Sequence, residues 1–278
     1  MKRLSLIAVG VTCLLFQNAQ AQLWQESFNY TAGTTLGANA PWAPDTTNRL
    51  QITSGNLTYT GLADLGGNQL TYTGTGMGVV NAQTDTNAFS AIGITTGNLY
   101  ISFLIDCTTL NGGNNYLMSL TPGTAPGGGS DPLSIYTGTT GSGWKIGIRH
   151  NGVSSGATYA ASVLATGTTY FIVAEYSFVA GAANDIVNLY VNPVPGDPQP
   201  GTPSATQSTG TGPVDAASLN ALGFRVGQTT TAGNYIIDNL RIGTSWGDVT
   251  PIVPEPASMA LLGFGLLGMA MGYRRMRR

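Results

Sequence analysis

The side chains that could do acid–base chemistry are few and widely spaced. A retaining glycosidase needs two carboxyl groups about 5–5.5 Å apart, and a strand supplies such a pair when acids stand two or four residues apart. Between residues 22 and 252 the only glutamates are Glu26 and Glu175, and no two acids have that spacing. Glu175 and Asp185 could face each other across a hairpin, but solvated strand positions explain both more simply. The sequence therefore predicts no catalytic residue.

Histidine and cysteine, the other residues that could take part in catalysis or bind a metal, are also scarce. His150 is the only histidine and precedes Asn151-Gly152, a dipeptide typical of a tight hairpin turn. We therefore expect it at a water-exposed turn, whereas a triad base must be shielded and oriented by a carboxylate. Cys107 is the only cysteine in residues 22–252 and follows alternating apolar positions, which predicts a buried, inert thiol. So small a supply predicts no transition-metal site.

Groups for binding are more plentiful. Trp42 and Trp144 could offer aromatic faces to a sugar, with Asn side chains for its hydroxyl groups. Core packing is the alternative for both rings, since each lies in or beside a predicted strand. Calcium needs only carboxylate, amide and backbone oxygens, and residues 64–68 and 111–115 carry such groups, although plain turns explain them better. The sequence requires no cofactor and leaves glycan or calcium binding open.

The charge of the chain argues against one class of partner. Residues 22–252 contain five bases against twelve acids, a net charge of −7. Nucleic-acid affinity comes largely from Lys and Arg that neutralise phosphates, so a nucleic-acid partner is not expected. Only 9% of the chain is charged, against ~25% in ordinary domains, and its surface must be covered mainly by uncharged polar residues.

The elements that must position these groups are predicted to be β-strands. Short runs rich in β-branched and aromatic residues recur between Gly, Asn and Pro clusters. Alternate residues from Leu99 to Ile105 are apolar, which predicts one buried face and a second layer packed on it. Pro193 to Pro213 contains six prolines and is expected to be a surface excursion with the least order. The predicted strands are 98–107, 116–120, 144–149, 169–178, 186–191, 221–226 and 235–242.

The N-terminus has the parts of a secretory signal peptide. A basic start, Met1 to Arg3, precedes an apolar run from Leu4 to Phe16 and the small residues Ala19-Gln20-Ala21. This order predicts that signal peptidase cuts between Ala21 and Gln22. Residues 1–21 are therefore expected to be absent from the exported protein.

The C-terminus combines a turn-forming motif, an apolar run and a basic end. Val253-Pro254-Glu255-Pro256 is followed by 16 residues without charge, Ala257 to Gly272. As a helix this run would span ~24 Å, somewhat less than the ~30 Å hydrocarbon core of a bilayer. The positive-inside rule predicts that the basic end stops in the cytoplasm and leaves the rest outside. Its cations are Arg274, Arg275, Arg277 and Arg278.

This three-part tail resembles the PEP-CTERM sorting signal of exported bacterial proteins. The resemblance implies an inner-membrane precursor, held by a single transmembrane helix, whose tail is processed by an exosortase. The mature protein would then reach the cell surface, the outer envelope or the extracellular matrix. Residues 253–278 are accordingly assigned to a sorting tail.

The intervening residues 22–252 resemble the concanavalin A-like lectin/glucanase sandwich in its laminin-G-like variety. The likeness rests on Phe28-Asn29-Tyr30, on the run from Tyr170 through Asn188 to Pro193, and on the closing segment from Tyr235 to Trp246. It implies an all-β fold, an antiparallel two-sheet β-sandwich of jelly-roll type. It also implies carbohydrate binding or a structural and adhesive role, with an extracellular polysaccharide as partner. The alternative is a carbohydrate-active enzyme, a hydrolase or lyase of the same superfamily.

Overall fold

The computed structural model describes residues 22–42, 50–73, 83–88, 94–110, 113–122, 131–150, 156–208, 215–226 and 233–253. Within these ranges almost all regular structure is extended. A 3-10 turn covers Leu36–Ala38, and one short helix, α1, covers Trp246–Val249. The strands are β1 Gln22–Glu26, β2 Leu50–Thr53, β3 Gln69–Tyr72, β4 Gln83–Ala88, β5 Gly97–Thr109, β6 Asn115–Thr121, β7 Leu133–Thr140, β8 Gly143–His150, β9 Thr158–Tyr159, β10 Tyr170–Phe178, β11 Ile186–Val191, β12 Ala205–Ser208, β13 Ala221–Val226 and β14 Asn234–Gly243.

The strands form two antiparallel sheets. The large sheet has eight strands in the order β12-β11-β10-β5-β14-β3-β2, with β1 also paired to β14. The small sheet has six strands in the order β4-β13-β6-β7-β8-β9. All seven strands predicted from the sequence are present, each within two residues of its predicted ends. The all-β, two-sheet prediction is therefore confirmed.

The main core lies between the two sheets, because alternate residues of each strand point inward. Its members come from both sheets, including Phe103 and Ile172 of the large sheet and Ile146 and Phe224 of the small one. Aromatic rings also cross the interface, with the centroids of Trp144 and Tyr235 lying 5.7 Å apart. This packing makes the molecule a β-sandwich.

A second, smaller apolar cluster lies on the other face of the large sheet. It includes Tyr100, Leu104, Phe171 and Val173, which occupy the positions between the inward-facing residues of β5 and β10. The predicted buried face of β5, Leu99 to Ile105, packs in the main core, and the structure shows that its other face is buried as well. Segments outside the sheet cover the second face and contribute Leu62 and Val249 to the cluster, and β11 of the sheet itself contributes Tyr190.

The proline-rich segment also differs from its prediction. Residues 193–208 come after β11 in the chain and end in β12, an edge strand that pairs with β11. Proline cannot donate to a ladder, but the prolines precede β12 and leave its amides free to pair. Residues 209–214, the remainder of the predicted excursion, lie outside the described ranges.

Several sequence predictions concern residues that the structure does not describe. These are the signal peptide up to Ala21, the turn at 151–152, and the tail from Pro254 onward with Glu255, Pro256, Arg274, Arg275, Arg277 and Arg278. In the described ranges, no helix is long and apolar enough to cross a membrane. The signal peptide and the transmembrane helix stay predictions.

Candidate functional site

The outer face of the small sheet brings polar and aromatic side chains into two rows. Strand register aligns Tyr116, Tyr136, Gly147 and Tyr159 directly across β6, β7, β8 and β9. The neighbouring row contains Ser119, Ser134 and Arg149, also aligned by register. Residues paired across strands share a face, so these side chains form one surface, the small-sheet face.

Arg149 is the centre of this surface. One of its terminal nitrogens, Nη1, donates to the Tyr136 hydroxyl at 3.3 Å and to the Tyr116 hydroxyl at 3.4 Å. The two tyrosine rings pack together with their centroids 4.2 Å apart. Below them the hydroxyls of the buried residues Ser119 and Ser134 are 3.2 Å apart. The guanidinium therefore lies on a face of the sheet that is rich in hydroxyl groups.

The electrostatics keep Arg149 charged and Tyr136 neutral. Burial opposes the charge of the guanidinium, but its hydrogen bonds to Tyr136 and Tyr116 outweigh this and raise the pKa of Arg149. Burial and the hydrogen bond with Tyr116 also raise the pKa of Tyr136. The arrangement offers a permanent cation and neutral hydroxyl donors, the combination that suits an anionic ligand.

A second cation lies nearby, over a tyrosine that lies flat on the sheet. The Lys145 ammonium is 4.2 Å from the centroid of the Tyr159 ring. Glycines make room for this ring, because a Cβ on Gly147 would lie 2.7 Å from Tyr159 Cδ1, and one on Gly138 would lie 3.2 Å from Tyr159 Cε1. A methyl group at Gly147 would displace the ring, and with it the partner of Lys145.

Two polar atoms of this surface are buried without partners. Arg149 Nε and the Tyr159 hydroxyl make no hydrogen bond within the described part of the chain. An unsatisfied buried donor costs about 1–3 kcal/mol, so such atoms call for an explanation. Contacts among the described residues do not supply one.

The predicted aromatic platforms lie in the core instead. Trp42 and Trp144 are both buried between the sheets. The Trp42 indole nitrogen donates to Glu26 Oε2 at 2.9 Å, and that of Trp144 donates to the Ala165 carbonyl at 3.0 Å. A ring enclosed on both sides has no face for a sugar, so core packing, the alternative that the sequence left open, is what this structure contains.

Both glutamate carboxylates are held by the chain itself. Glu26 accepts hydrogen bonds from the Phe28 amide, the Tyr30 hydroxyl and Trp42. Glu175 was expected at a solvated strand position but is buried. It lies opposite Tyr100 in the β10–β5 register and accepts hydrogen bonds from side chains of β11 and of the proline-rich segment. These donors are Asn188, Tyr190 and Gln199.

Glu175 and Asp185 do not form a carboxylate pair. Asp185 accepts hydrogen bonds from the Tyr176 hydroxyl and the Val179 amide. Tyr176 belongs to the core between the sheets, whereas Glu175, the preceding residue of β10, points to the opposite face. The two acids therefore lie on different sides of the large sheet.

The histidine prediction was wrong in its exposure. His150 is fully buried at the end of β8, and its ring stacks on Tyr176 with centroids 5.5 Å apart. The alternation of buried residues in β8 continues to its last residue, so the core extends as far as His150. Cys107 is buried and free, as predicted, and burial raises the pKa of its thiol to about 11.

The first of the two candidate calcium loops is used structurally. Asp64 accepts hydrogen bonds from the Asn56 side chain, the Gly66 amide and the Asn239 side chain. Among the described residues, no group of three or more His, Cys, Asp or Glu side chains could hold a metal ion. In the second loop, residues 111 and 112 lie outside the described ranges.

The small-sheet face was not identified from the sequence. The alternation in β8 contains a signal, because Lys145, Gly147 and Arg149 occupy the positions between Trp144, Ile146 and Ile148. Strand β7, which supplies Tyr136 and Ser134, was not predicted. Without it, the neighbours of Arg149 could not be assigned.

The tail belongs to a recognisable class of signals. Residues 253–278 match the PEP-CTERM protein-sorting motif. The chain therefore carries the C-terminal sorting signal of an exported protein, as its sequence predicted. A search of curated protein sequences found no match to this chain.

Solved structures share the fold of the domain. The alginate lyase Aly36B is 13% identical, with a TM-score of 0.54 over 79% of this chain and 95% of that one. A carbohydrate esterase from the Shiga toxin-encoding bacteriophage phi24B is 14% identical, with a TM-score of 0.50 over 80% of this chain and 97% of that one. At such identities the similarity concerns the fold alone, that of a two-sheet β-sandwich.

Proposed function

We propose that this exported protein binds an acidic polysaccharide with the small-sheet face. The observation that carries the proposal is Arg149, a half-buried cation whose terminal nitrogen Nη1 is flanked by two tyrosine hydroxyls. Guanidinium groups bind carboxylates through two parallel hydrogen bonds, and tyrosines add both ring contact and hydroxyl donors. A uronic acid polymer offers a carboxylate and hydroxyl oxygens at each residue.

Charge distribution supports an anionic ligand. The domain has a net charge of −7 with only five bases, two of which, Lys145 and Arg149, belong to strand β8 of the small sheet. Arg241, in contrast, is buried under the loop that covers the large sheet. An acidic polymer would be repelled by most of this surface, so a local concentration of cations favours one mode of attachment.

Binding without catalysis is the simpler use of this geometry. Removing a proton next to a uronate carboxylate requires a base whose pKa is near the working pH, and burial raises the pKa of Tyr136 away from that range. The two glutamates, which a hydrolase would need, accept hydrogen bonds from the chain itself. The proposal is therefore a binding or adhesive role.

The second candidate is a polysaccharide lyase. Arg149 could neutralise a uronate carboxylate. The half-buried Tyr116, whose hydroxyl lies 3.4 Å from Arg149 Nη1, could take the proton next to that carboxylate and give a proton to the leaving oxygen. The fold is shared with a protein named as an alginate lyase. An elimination would create an unsaturated product that absorbs ultraviolet light, which distinguishes this candidate from simple binding.

The tail is proposed to anchor and then release the domain. Its PEP-CTERM motif supports processing by an exosortase-type enzyme after signal peptidase has removed residues 1–21. The apolar run 257–272 would hold the precursor in the inner membrane as a single helix, with the arginines in the cytoplasm. The processed domain would then reside at the cell surface or in the matrix.

The binding proposal is tested on the purified domain, residues 22–253. We expect it to bind alginate or polygalacturonate, more weakly as salt increases, and to bind neutral β-glucan far less. Arg149→Gln should lower the affinity about 10- to 100-fold, since a hydrogen bond to a charged group contributes about 1.5–3 kcal/mol. Glu175→Gln, on the other sheet, is the matched control and should leave the affinity unchanged. Equal binding of neutral and acidic polymers, or an unaffected Arg149→Gln variant, would contradict the proposal.

The same incubations separate binding from elimination. If ultraviolet absorbance rises with acidic polymer and the increase is lost in Tyr116→Phe, the domain is a lyase. If absorbance stays constant while the polymer is retained, the domain is a binding module.

Anchoring is tested separately in cells. Replacing Pro254-Glu255-Pro256 with alanines should leave full-length precursor in the inner membrane, because the motif is the processing signal. The control changes only Val253 to alanine, outside the Pro-Glu-Pro core. Normal maturation of the triple variant would show that the motif does not direct processing.

A further inference from the structure

The folded domain makes hydrogen bonds with the chain as far as Val253, the first residue of the sorting motif. The Gly196 amide donates to the Thr250 carbonyl at 2.9 Å, the Ala63 amide to the Pro251 carbonyl at 2.8 Å, and the Val253 amide to the Gly61 carbonyl at 3.1 Å. Ile252 forms an antiparallel bridge with Leu62. Residues 250–253 are thus part of the fold, and no flexible linker separates the domain from Pro254.

The surface around this exit is apolar. Val194, Ile252 and Val253 are 60%, 54% and 52% exposed, three of the six large apolar side chains in the described structure that exceed a third. Val194 and Pro195 line a depression of about 380 Å³ with residues 58–60. These residues precede Gly61 to Ala63, which bind residues 251–253. Ile252 lies against the backbone of Gly196. We call Val194, Ile252 and Val253 the exit face.

The length of the following chain limits where this face can lie. Four residue steps connect Val253 to Ala257, where the apolar run begins, and a fully extended chain covers at most ~14 Å in four steps. The headgroup layer on one side of a bilayer is about 5–7 Å thick. If Ala257 enters the hydrocarbon, the exit face is within reach of the headgroups.

The shortness of the apolar run draws the domain closer still. Its 16 residues span ~24 Å as a helix, against a hydrocarbon core of ~30 Å. A short span draws its flanking residues toward the interface or thins the bilayer. Apolar side chains at this position lose contact with water when they meet the interface, which favours the same arrangement.

We propose that the exit face is a membrane-contact surface, and that in the unprocessed precursor it rests on the interface of the bilayer that holds the tail. The inference rests on the proposed membrane anchoring of the tail. It adds that the domain is docked on the lipid surface and is not tethered at a distance. Processing would then free this face together with the domain.

The test uses the precursor, residues 22–278, in vesicles of phosphatidylethanolamine and phosphatidylglycerol. Val194→Cys and Ile252→Cys are labelled with a fluorescent maleimide, and Val179→Cys is the control. Cys107 does not compete, because it is buried and its thiol pKa is raised to about 11. Val179 is exposed but follows the end of β10 opposite to Thr169, which lines the same depression as Val194.

We expect lipids with a nitroxide at headgroup depth to quench the labels at 194 and 252 and to leave the label at 179 bright. Flotation of the vesicles reports the anchor independently. A precursor that floats but shows no stronger quenching at 194 and 252 than at 179 overturns the inference alone. A precursor that does not float overturns the anchoring and the inference together. If the fluorescence of the labels at 194 and 252 depends on the density of protein in the vesicles and not on the nitroxide lipid, the face contacts a second copy and the inference is also overturned.

Discussion

The outer faces of the two sheets are built by the same alternation and have opposite properties. On the large sheet, loop residues 55–68, the proline-rich segment and α1 cover the strands, and the buried Glu175 accepts hydrogen bonds from Asn188, Tyr190 and Gln199. On the small sheet, Arg149 and Tyr159 each retain a buried donor without a partner in the described structure.

This difference distinguishes polar groups that stabilise from polar groups that recognise. A buried polar network whose members are all satisfied specifies one arrangement of the chain. A surface with a charged group and unsatisfied donors is better matched by a ligand than by the chain itself. Substitutions on the large sheet should therefore change stability, and those on the small sheet should change binding.

The largest expected effect is on the covered face. Phe171→Ala removes a fully buried ring that packs against Tyr59, with centroids 5.4 Å apart. The free energy of unfolding should fall by about 3–5 kcal/mol, as for other large-to-small core substitutions. Urea denaturation measures it. Tyr116→Ala, on the half-buried small-sheet face, is the comparison and should cost much less; equal losses would remove the distinction between the faces.

The next effect concerns the network around Glu175. Glu175→Ala leaves the amide donors of Asn188 and Gln199 without their acceptor, so the free energy of unfolding should fall by about 2–3 kcal/mol. Glu175→Gln keeps a carbonyl acceptor and should lose less than half as much. Neither variant should alter polysaccharide affinity. A loss of affinity in the folded Gln variant would mean that the two faces are coupled.

A pH dependence should arise from Asp238, which lies under the covering loop. It accepts hydrogen bonds from the Leu57 and Asn239 amides, and burial raises its pKa from 3.8 to about 7. The folded state therefore binds this proton more tightly than the unfolded state does. The resulting stability is fully present below pH ~4 and is lost as the pH rises through ~7.

The measurement compares wild type with Asp238→Asn, which cannot titrate at this position. Between pH 5 and 8, the unfolding free energy of wild type should fall relative to the variant by about 2 kcal/mol, less than the full shift would give because part of it titrates below pH 5. Binding at the small-sheet face should not follow this profile. Parallel pH curves for the two proteins would refute the assignment.

The smallest effect is on the small-sheet face. Tyr136→Phe removes one hydroxyl beside Arg149 and should weaken acidic polysaccharide binding about three- to tenfold, the value of one neutral hydrogen bond. Stability should hardly change. Tyr190→Phe, which removes a hydroxyl that contacts Glu175 and Gln199 on the covered face, should show the reverse pattern. Calorimetric titration and denaturation of both variants check the contrast.

The amino-acid sequence alone determined the strands and the tail. Alternation of apolar residues predicted seven strands, because a half-buried strand repeats every two residues. The sorting motif could also be recognised, since its three parts are contiguous in the chain. The burial of Cys107 followed from the same alternation.

Only the tertiary structure decided what covers each face and which side chains meet. Alternation separates two faces but does not say whether a loop will bury the second, so Glu175 was expected in water and is buried. His150 was expected at an exposed turn because Asn151-Gly152 follows it, but its ring is buried against Tyr176 of the core. Arg149, Tyr136 and Tyr116 come from three strands, and their contact depends on the register of β6, β7 and β8. Register is set by pairing across the sheet, a long-range property that no single segment of the chain contains.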